Sequence, residues 1–269
     1  MSKEEQASPQ APVFSVVCVY NKPEILERDL LPSLSRQQGV EYEQVLLDTR
    51  TEKFDRASAA LNEACSRARG RYLVIAHQDM EFCRPDTLAC LRQECEQAFG
   101  EQGYGLLGAA GGQEGGKNYI AMGQEFTGPR VIPCMTVDEC ILVLPRALWQ
   151  QARFADLGRT WHAYGVELSL HLSQMGYRVG IFHASVQHHW GGAEKGGQTT
   201  DLNYFCTMAK LASRYRKTTP VIATSCGHWP TGAAYLGVLK KRLPLAIRGA
   251  VKKKFPKAWA SLKKYKDRQ

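Results

Sequence analysis

Carboxylates and imidazoles gather at four places in this 269-residue chain: His77-Gln78-Asp79, Asp138-Glu139, Glu167 behind the aromatic run Trp161-His162-Ala163-Tyr164, and His188-His189. These side-chain types ligate divalent cations and exchange protons near neutral pH. Tyr20-Asn21 and Asp48 place further polar groups at the ends of apolar runs. Other chemistries find little support. The nine cysteines are odd in number and contain no C-x-x-C pair, and Cys18 and Cys140 lie in apolar runs. A disulfide scaffold and a cysteine zinc site are therefore not expected, and a reduced compartment is. The glycine-rich stretch 108–116 lacks the G-x-G-x-x-G of a dinucleotide site, and the chain has no G-x-x-x-x-G-K-[ST]. That stretch reads as a flexible loop.

Polar residues at strand ends act together only if the strands line up. Residues 14–20 read as a buried strand, bounded by Pro12 and by Asn21-Lys22-Pro23. Residues 45–47 and 71–76 read as two more, ending at Asp48 and at His77-Gln78-Asp79. Helices are expected over about 24–38, interrupted at Pro32, over 57–69 and over 88–99, with a further strand at 104–108. This alternation predicts a parallel sheet with helices on both faces. In such sheets ligands bind outside the carboxyl ends of the strands. Tyr20-Asn21, Asp48 and His77 to Asp79 would all stand there. Beyond residue 110 the pattern is more mixed. The acidic pair Asp138-Glu139 precedes an apolar run, and helices are expected near 148–153, 166–175 and 202–215. A strand is expected at 177–183 and a polar loop at 186–192.

The chain is 44% hydrophobic and 23% charged, within the range of a folded soluble domain, and no run of 18 apolar residues could span a membrane. Its net charge of +9 is unevenly placed. Residues 237–269 hold twelve Lys/Arg against the single acid Asp267, which leaves the first 236 residues slightly acidic. Nucleic-acid binding by that body has little electrostatic support and is not expected.

Four segments, in order, resemble the nucleotide-sugar glycosyltransferases of the GT-A fold, particularly bacterial family 2-like members. Ser15-Val-Val-Cys-Val-Tyr-Asn21 is similar to the opening strand and turn that receive the nucleotide. The stretch from Leu61-Asn62 through Gly70 to His77-Gln78-Asp79 resembles the family's Asn-bearing helix, strand and metal-binding acidic motif. Trp161-His-Ala-Tyr-Gly-Val-Glu167-Leu resembles the segment supplying the catalytic carboxylate. His188-His189-Trp-Gly191 resembles a late histidine that completes the metal site.

The resemblance implies a Rossmann-like mixed, mostly parallel α/β sheet with helices on both faces and a basic helical C-terminal tail. It implies one domain with a nucleotide-binding half (about 13–110) and an acceptor half (about 111–236), to which composition adds a disordered leader at 1–12 and the basic tail at 237–269. The implied reaction is an inverting transfer of sugar to a hydroxyl of a glycan or lipid-linked acceptor, in bacterial surface polysaccharide or lipopolysaccharide synthesis. A divalent cation would neutralise the departing diphosphate. Asp79 is its implied ligand, joined by His189, with His188 as the open alternative; a nitrogen ligand suits Mn2+ better than Mg2+. His77 replaces the first carboxylate of the usual D-x-D, and either joins the cation or leaves the site one acid short.

Glu167, at a helix start that favours its ionised form, is the implied general base. Asp138 and Glu139 are rival carboxylates that contact the acceptor or hold the loop carrying Glu167. Tyr20 would pack on the nucleotide base and Asp48 would bond uracil or ribose, making a UDP-sugar the first donor to consider. Asn21, Asn62, His77 and Gln78 would add polar contacts, and Trp161, His162 and Tyr164 would face the sugar. The family's second strand usually ends in a longer acidic motif than Asp48-Thr-Arg-Thr51, which leaves the donor open. The tail, with Pro244 and Pro256 dividing it into short helices, reads as a basic amphipathic segment for an anionic membrane surface. The expected location is cytoplasmic, peripheral on the inner face of the membrane. Two rivals stand: a noncatalytic nucleotide-sugar-binding protein, suggested by His77, and an unrelated α/β enzyme such as a methyltransferase, weakened by the absent glycine-rich first turn.

Overall fold

Along the first strand, Val17 joins one apolar layer while Val16 and Cys18 join another. A strand's period of two separates them, and such a strand needs cover on both faces. The computed structural model describes residues 11–113, 115, 118–122, 131–183, 185–189 and 202–256. Most of the expected leader, Trp190-Gly191 and the end of the tail lie outside the described residues.

The strands are β1 (Phe14–Tyr20), β2 (Tyr42–Asp48), β3 (Tyr72–Ala76), β4 (Met80–Phe82), β5 (Tyr104–Gly108), β6 (Ala110–Gly112), β7 (Asn118–Ile120), β8 (Val131–Cys134), β9 (Thr136–Val137), β10 (Ile141–Pro145), β11 (Arg178–Phe182), β12 (Val186–His188), β13 (Val221–Thr224) and β14 (Gly227–Pro230). The helices are α1 (Pro23–Arg28), α2 (Leu30–Ser35), α3 (Ala57–Ser66), α4 (Thr87–Gly100), α5 (Arg146–Gln151), α6 (Tyr164–Gln174), α7 (Leu202–Arg214) and α8 (Tyr235–Lys254). Seven strands form the central sheet in the order β2-β1-β3-β10-β5-β11-β8. Five of the seven run in one direction, with β10 and β8 reversed. The fold is thus the expected mixed, mainly parallel α/β sheet with helices on both faces.

One face is covered by Leu26, Leu30 and Leu34 of α1 and α2 and by Leu88 and Leu91 of α4. The other is covered by Leu61 and Ala64 of α3, Leu148 of α5, and Leu168 and Leu172 of α6. A third apolar cluster surrounds Trp229, where α6, α7, the β13–β14 hairpin and the start of α8 meet.

Three segments depart from the sequence reading, each for a tertiary reason. The expected glycine loop contains β6, which pairs with β7 and β9. Its glycines are required by close approach: a Cβ on Gly111 would strike the Thr136 carbonyl, and one on Gly112 the backbone of Ala223. The expected polar loop at 186–192 begins as β12, which pairs with β4. The tail begins as one helix that continues through Pro244. Tyr235 is buried and Val238 and Leu239 pack on the third cluster, so this helix is docked at its start. No helix among the described residues is long and apolar enough to cross a membrane.

Gly112→Val should lower the unfolding free energy by about 3 kcal/mol, at the upper end of the cost of overpacking. Urea denaturation checks this, and an unchanged midpoint would mean that β6 does not dock on β13.

Candidate functional site

β3 ends at Ala76, and His77-Gln78-Asp79 turn the chain into β4. The turn is anchored by the His77 N–H on the Cys140 carbonyl (3.0 Å) and by the Met80 N–H on the His77 carbonyl (3.2 Å). β12 lies antiparallel to β4 with His188 opposite Met80. That pairing sets His188 Nε2 3.1 Å from Asp79 Oδ1. The His77 ring stands edge-on to His188, with centroids 5.6 Å apart, and its Nε2 lies 3.1 Å from the Tyr164 hydroxyl. Ligand atoms of His77, Asp79 and His188 all fall within 4.8 Å of one another.

The electrostatics suit a cation. Burial, with the charge of His188 adding to it, pushes His77 down to about 4, so its imidazole is neutral at pH 7 with a lone pair to offer. Burial alone would raise Asp79; the hydrogen bond and charge of His188, with the charge of His77, overcome it and hold the carboxyl at about 2. An ionised carboxylate between imidazoles offers the oxygen and nitrogen donors that a divalent cation accepts.

The cluster borders a cavity of about 300 Å3, the lower end of small-molecule sites. Val19, Ala57, Leu61 and Ile75 give it an apolar lining, His77, Gln78, Asp79 and Tyr164 a polar one, and Trp161 and His162 also line it. Trp161 is 43% exposed, so its ring is not spent on core packing. An aromatic face open at a cavity rim can stack on a planar base or on the apolar side of a sugar.

Other expected site residues sit elsewhere. Gln78 also works as a strut, its Oε1 accepting from the N–H groups of Asn21 (3.1 Å) and Lys22 (3.0 Å). Tyr20 and Asp48 are register partners at the ends of β1 and β2, and neither they nor Asn21 line the cavity. Asp48 is occupied by Arg50, at 2.7 Å. Asn62 is turned into the fold: its amide holds both the N–H and the carbonyl of Phe154 and accepts from the Trp149 indole. His189 does not join the cluster. Successive residues of an extended strand point to opposite sides, so with His188 on Asp79, His189 is set on Glu81 at 2.8 Å.

Glu167 is also directed away. Its side chain is 3% exposed and accepts from Arg214 Nη1 at 2.7 Å and from the Tyr215 hydroxyl at 3.0 Å. The reason is helical geometry. Tyr164, Leu168 and Leu172 of α6 face the sheet, whereas Val166 and Leu170 face the third cluster, and Glu167 lies beside Leu170 on the α7 side.

The rival carboxylates do not line the cavity either. Between β9 and β10, Asp138 accepts from the Ser225 hydroxyl; burial raises its carboxyl, opposed by that bond and by the charge of His188. Glu139 faces the first turn of α6, where a Cβ on Gly165 would lie 3.4 Å from its Cγ. Burial, then the charge of Asp138, pushes its carboxyl up to about 8, while the N–H groups of Gly165 and Ala163 pull the other way. Its Oε1 is buried without a hydrogen-bond partner among the described residues. The hairpin carrying Ser225 and the Arg214 anchor of Glu167 had no signal in sequence, because both meet their partners only across the third cluster.

No family model and no curated protein matches the chain. Solved structures similar to it include S. aureus TarS residues 1–349, at 14% identity and a TM-score of 0.46 over 74% of this chain and 64% of that one. TarS in complex with UDP-GlcNAc matches at 13% and 0.45. The mannosyltransferase PcManGT from Pyrobaculum calidifontis, in complex with GDP-Man and Mn2+, matches at 14% and 0.44 over 80% of this chain and 67% of that one. The chain thus spans about 64% of the TarS chain. Likeness at this level carries no activity from those proteins to this one.

Glu167→Gln should cost about 1.5–3 kcal/mol, the range for hydrogen bonds to charged groups, and leave ligand affinity at the cavity unchanged. Thermal unfolding with and without ligand checks both. A loss of ligand affinity with unchanged stability would return Glu167 to the site.

Proposed function

We propose that this chain is a cation-dependent glycosyltransferase that moves a sugar from a nucleotide-sugar donor, a UDP-sugar first among candidates, to a hydroxyl of a glycan or lipid-linked acceptor, with inversion. Its setting would be bacterial surface polysaccharide or lipopolysaccharide synthesis, on the cytoplasmic side. The observation that carries this reading is the His77–Asp79–His188 cluster on the wall of a cavity at the carboxyl ends of parallel strands.

Asp79, His188 and His77 would hold the cation, Mn2+ before Mg2+. When bound, it would supply positive charge to stabilise the departing diphosphate. Trp161 and His162, which line the same cavity, would orient the donor, and the apolar lining would limit water. Proton removal needs a carboxylate, and Glu139 fits better than Glu167. Glu167 is neutralised by Arg214, whereas the Glu139 side chain reaches the first turn of α6, and its main-chain carbonyl meets the Tyr164 hydroxyl. A proton affinity near the working pH is what a general base requires. In the step proposed, Glu139 takes the acceptor hydroxyl proton as that oxygen bonds to the anomeric carbon. The bond from that carbon to the diphosphate oxygen breaks, and the diphosphate leaves with the electron pair.

UDP-, GDP- and dTDP-sugars, assayed with Mn2+ and a panel of glycan and lipid-linked acceptors, should identify one donor that is turned over. Asp79→Asn and His188→Ala should then lower transfer on the order of 100-fold, the several kcal/mol a Lewis acid contributes. His189→Ala should stay within about threefold, since its ring lies on Glu81. Donor binding without turnover across the panel would instead favour a noncatalytic binding protein. Glu139→Gln should lower kcat by about 100-fold or more while donor affinity, measured by calorimetry, is kept. Equal activity of Glu139→Gln and wild type would remove Glu139 as the base.

A further inference from the structure

We propose that α8 is a membrane-surface helix that lays this protein on an anionic bilayer. Its twenty residues contain seven Lys/Arg and no Asp or Glu. A helix this basic on a body that is slightly acidic overall has a partner of negative charge.

What kind of partner follows from the apolar residues it leaves exposed. Leu236 is 65% exposed, Leu245 53%, Ile247 46%, Val251 41% and Phe255, just past its C-terminal end, 54%. Spacings of eleven and four residues place Leu236, Ile247 and Val251 along one stripe of a 3.6-residue helix, Phe255 follows at the C-cap, and Leu245 lies off the stripe. Lys240 falls within the stripe, and Arg248 and Lys252 lie beside it. The inner side is already taken, by Tyr235, Val238 and Leu239 on the third cluster. An outward stripe of Leu, Ile, Val and Phe among lysines is the pattern of a helix lying in a headgroup layer, its apolar side chains in the acyl boundary and its ammonium groups on lipid phosphates. Phosphates of nucleic acid would use the lysines and leave the apolar stripe in water. A second copy would oppose one uniformly positive helix with another.

Docking there would also orient the site. α8 packs on α7, and the α7 residue Arg214 holds Glu167 of α6, whose first turn carries Tyr164 at the cavity. The surface itself does not depend on the glycosyltransferase reading; only the step from a docked enzyme to a membrane-linked acceptor does.

The test is sedimentation of the full chain with vesicles of phosphatidylglycerol and phosphatidylethanolamine, and with neutral phosphatidylcholine vesicles. The expected result is binding to the anionic vesicles that falls at least tenfold in the variant Ile247→Ser, Val251→Ser, Phe255→Ser and in Lys240→Glu, Lys252→Glu. All five side chains are exposed or near the surface, and circular dichroism and the melting temperature of each variant establish that it is folded. Three results would overturn the proposal: no binding to anionic vesicles, equal binding by the apolar variant, or duplex DNA binding that the apolar variant retains while vesicles are ignored. A wild-type dimer that the serine variant dissolves, without vesicle binding, would assign the stripe to self-association instead. Donor turnover that survives when vesicle binding is lost separates this proposal from the catalytic one.

Discussion

The contact between Asp79 and His188 is the constraint on which the site depends. The two residues are 109 positions apart, and what joins them is the short ribbon of β12 on β4. A largely buried carboxylate without a partner is costly, and His188 meets that need. The same contact aims two ligand types at one point beside a cavity. His77 follows from it, because the turn that presents Asp79 carries His77 two residues earlier, against the Tyr164 hydroxyl. The first turn of α6 is thereby tied to the end of β3.

A second consequence lies around α6. α6 serves two cores at once, so its residues are divided between the sheet and the third cluster, and Glu167 falls to the latter. Its buried charge is met by Arg214, and breaking such a pair by removing one partner is costly. The carboxyl nearest the start of α6 comes from another segment, through Glu139, into room left by Gly165. A helix start favours a nearby anion whichever segment supplies it.

Much of the first half was legible because its chemistry is local. Apolar runs of strand length, glycine stops and polar residues at strand ends led to β1, β2, β3 and the helices between them. They led equally to His77, Gln78 and Asp79 at a carboxyl edge. Trp161, His162 and Tyr164 were found as an aromatic run and do meet the cavity. Asn62 and Asp48 also looked like binding residues, but an amide or a carboxylate in a sequence does not reveal whether a backbone or an arginine already satisfies it. Asn62 is satisfied by Phe154 and Asp48 by Arg50.

By itself, the sequence determined the alternating elements, the mainly parallel sheet they imply, the edge where polar groups collect and the net excess of positive charge at the C-terminal end. These follow from periodicity and composition, which act within a few residues. The tertiary structure placed His188 beside Asp79 and His189 beside Glu81, because strand pairing sets which of two neighbours points inward. It decided that Glu167 is an anchor and that Glu139 stands at the helix start, because those roles depend on which distant chain supplies an arginine or leaves a space. It also decided that the basic tail begins as one docked helix, because only packing shows which of its apolar residues remain uncovered.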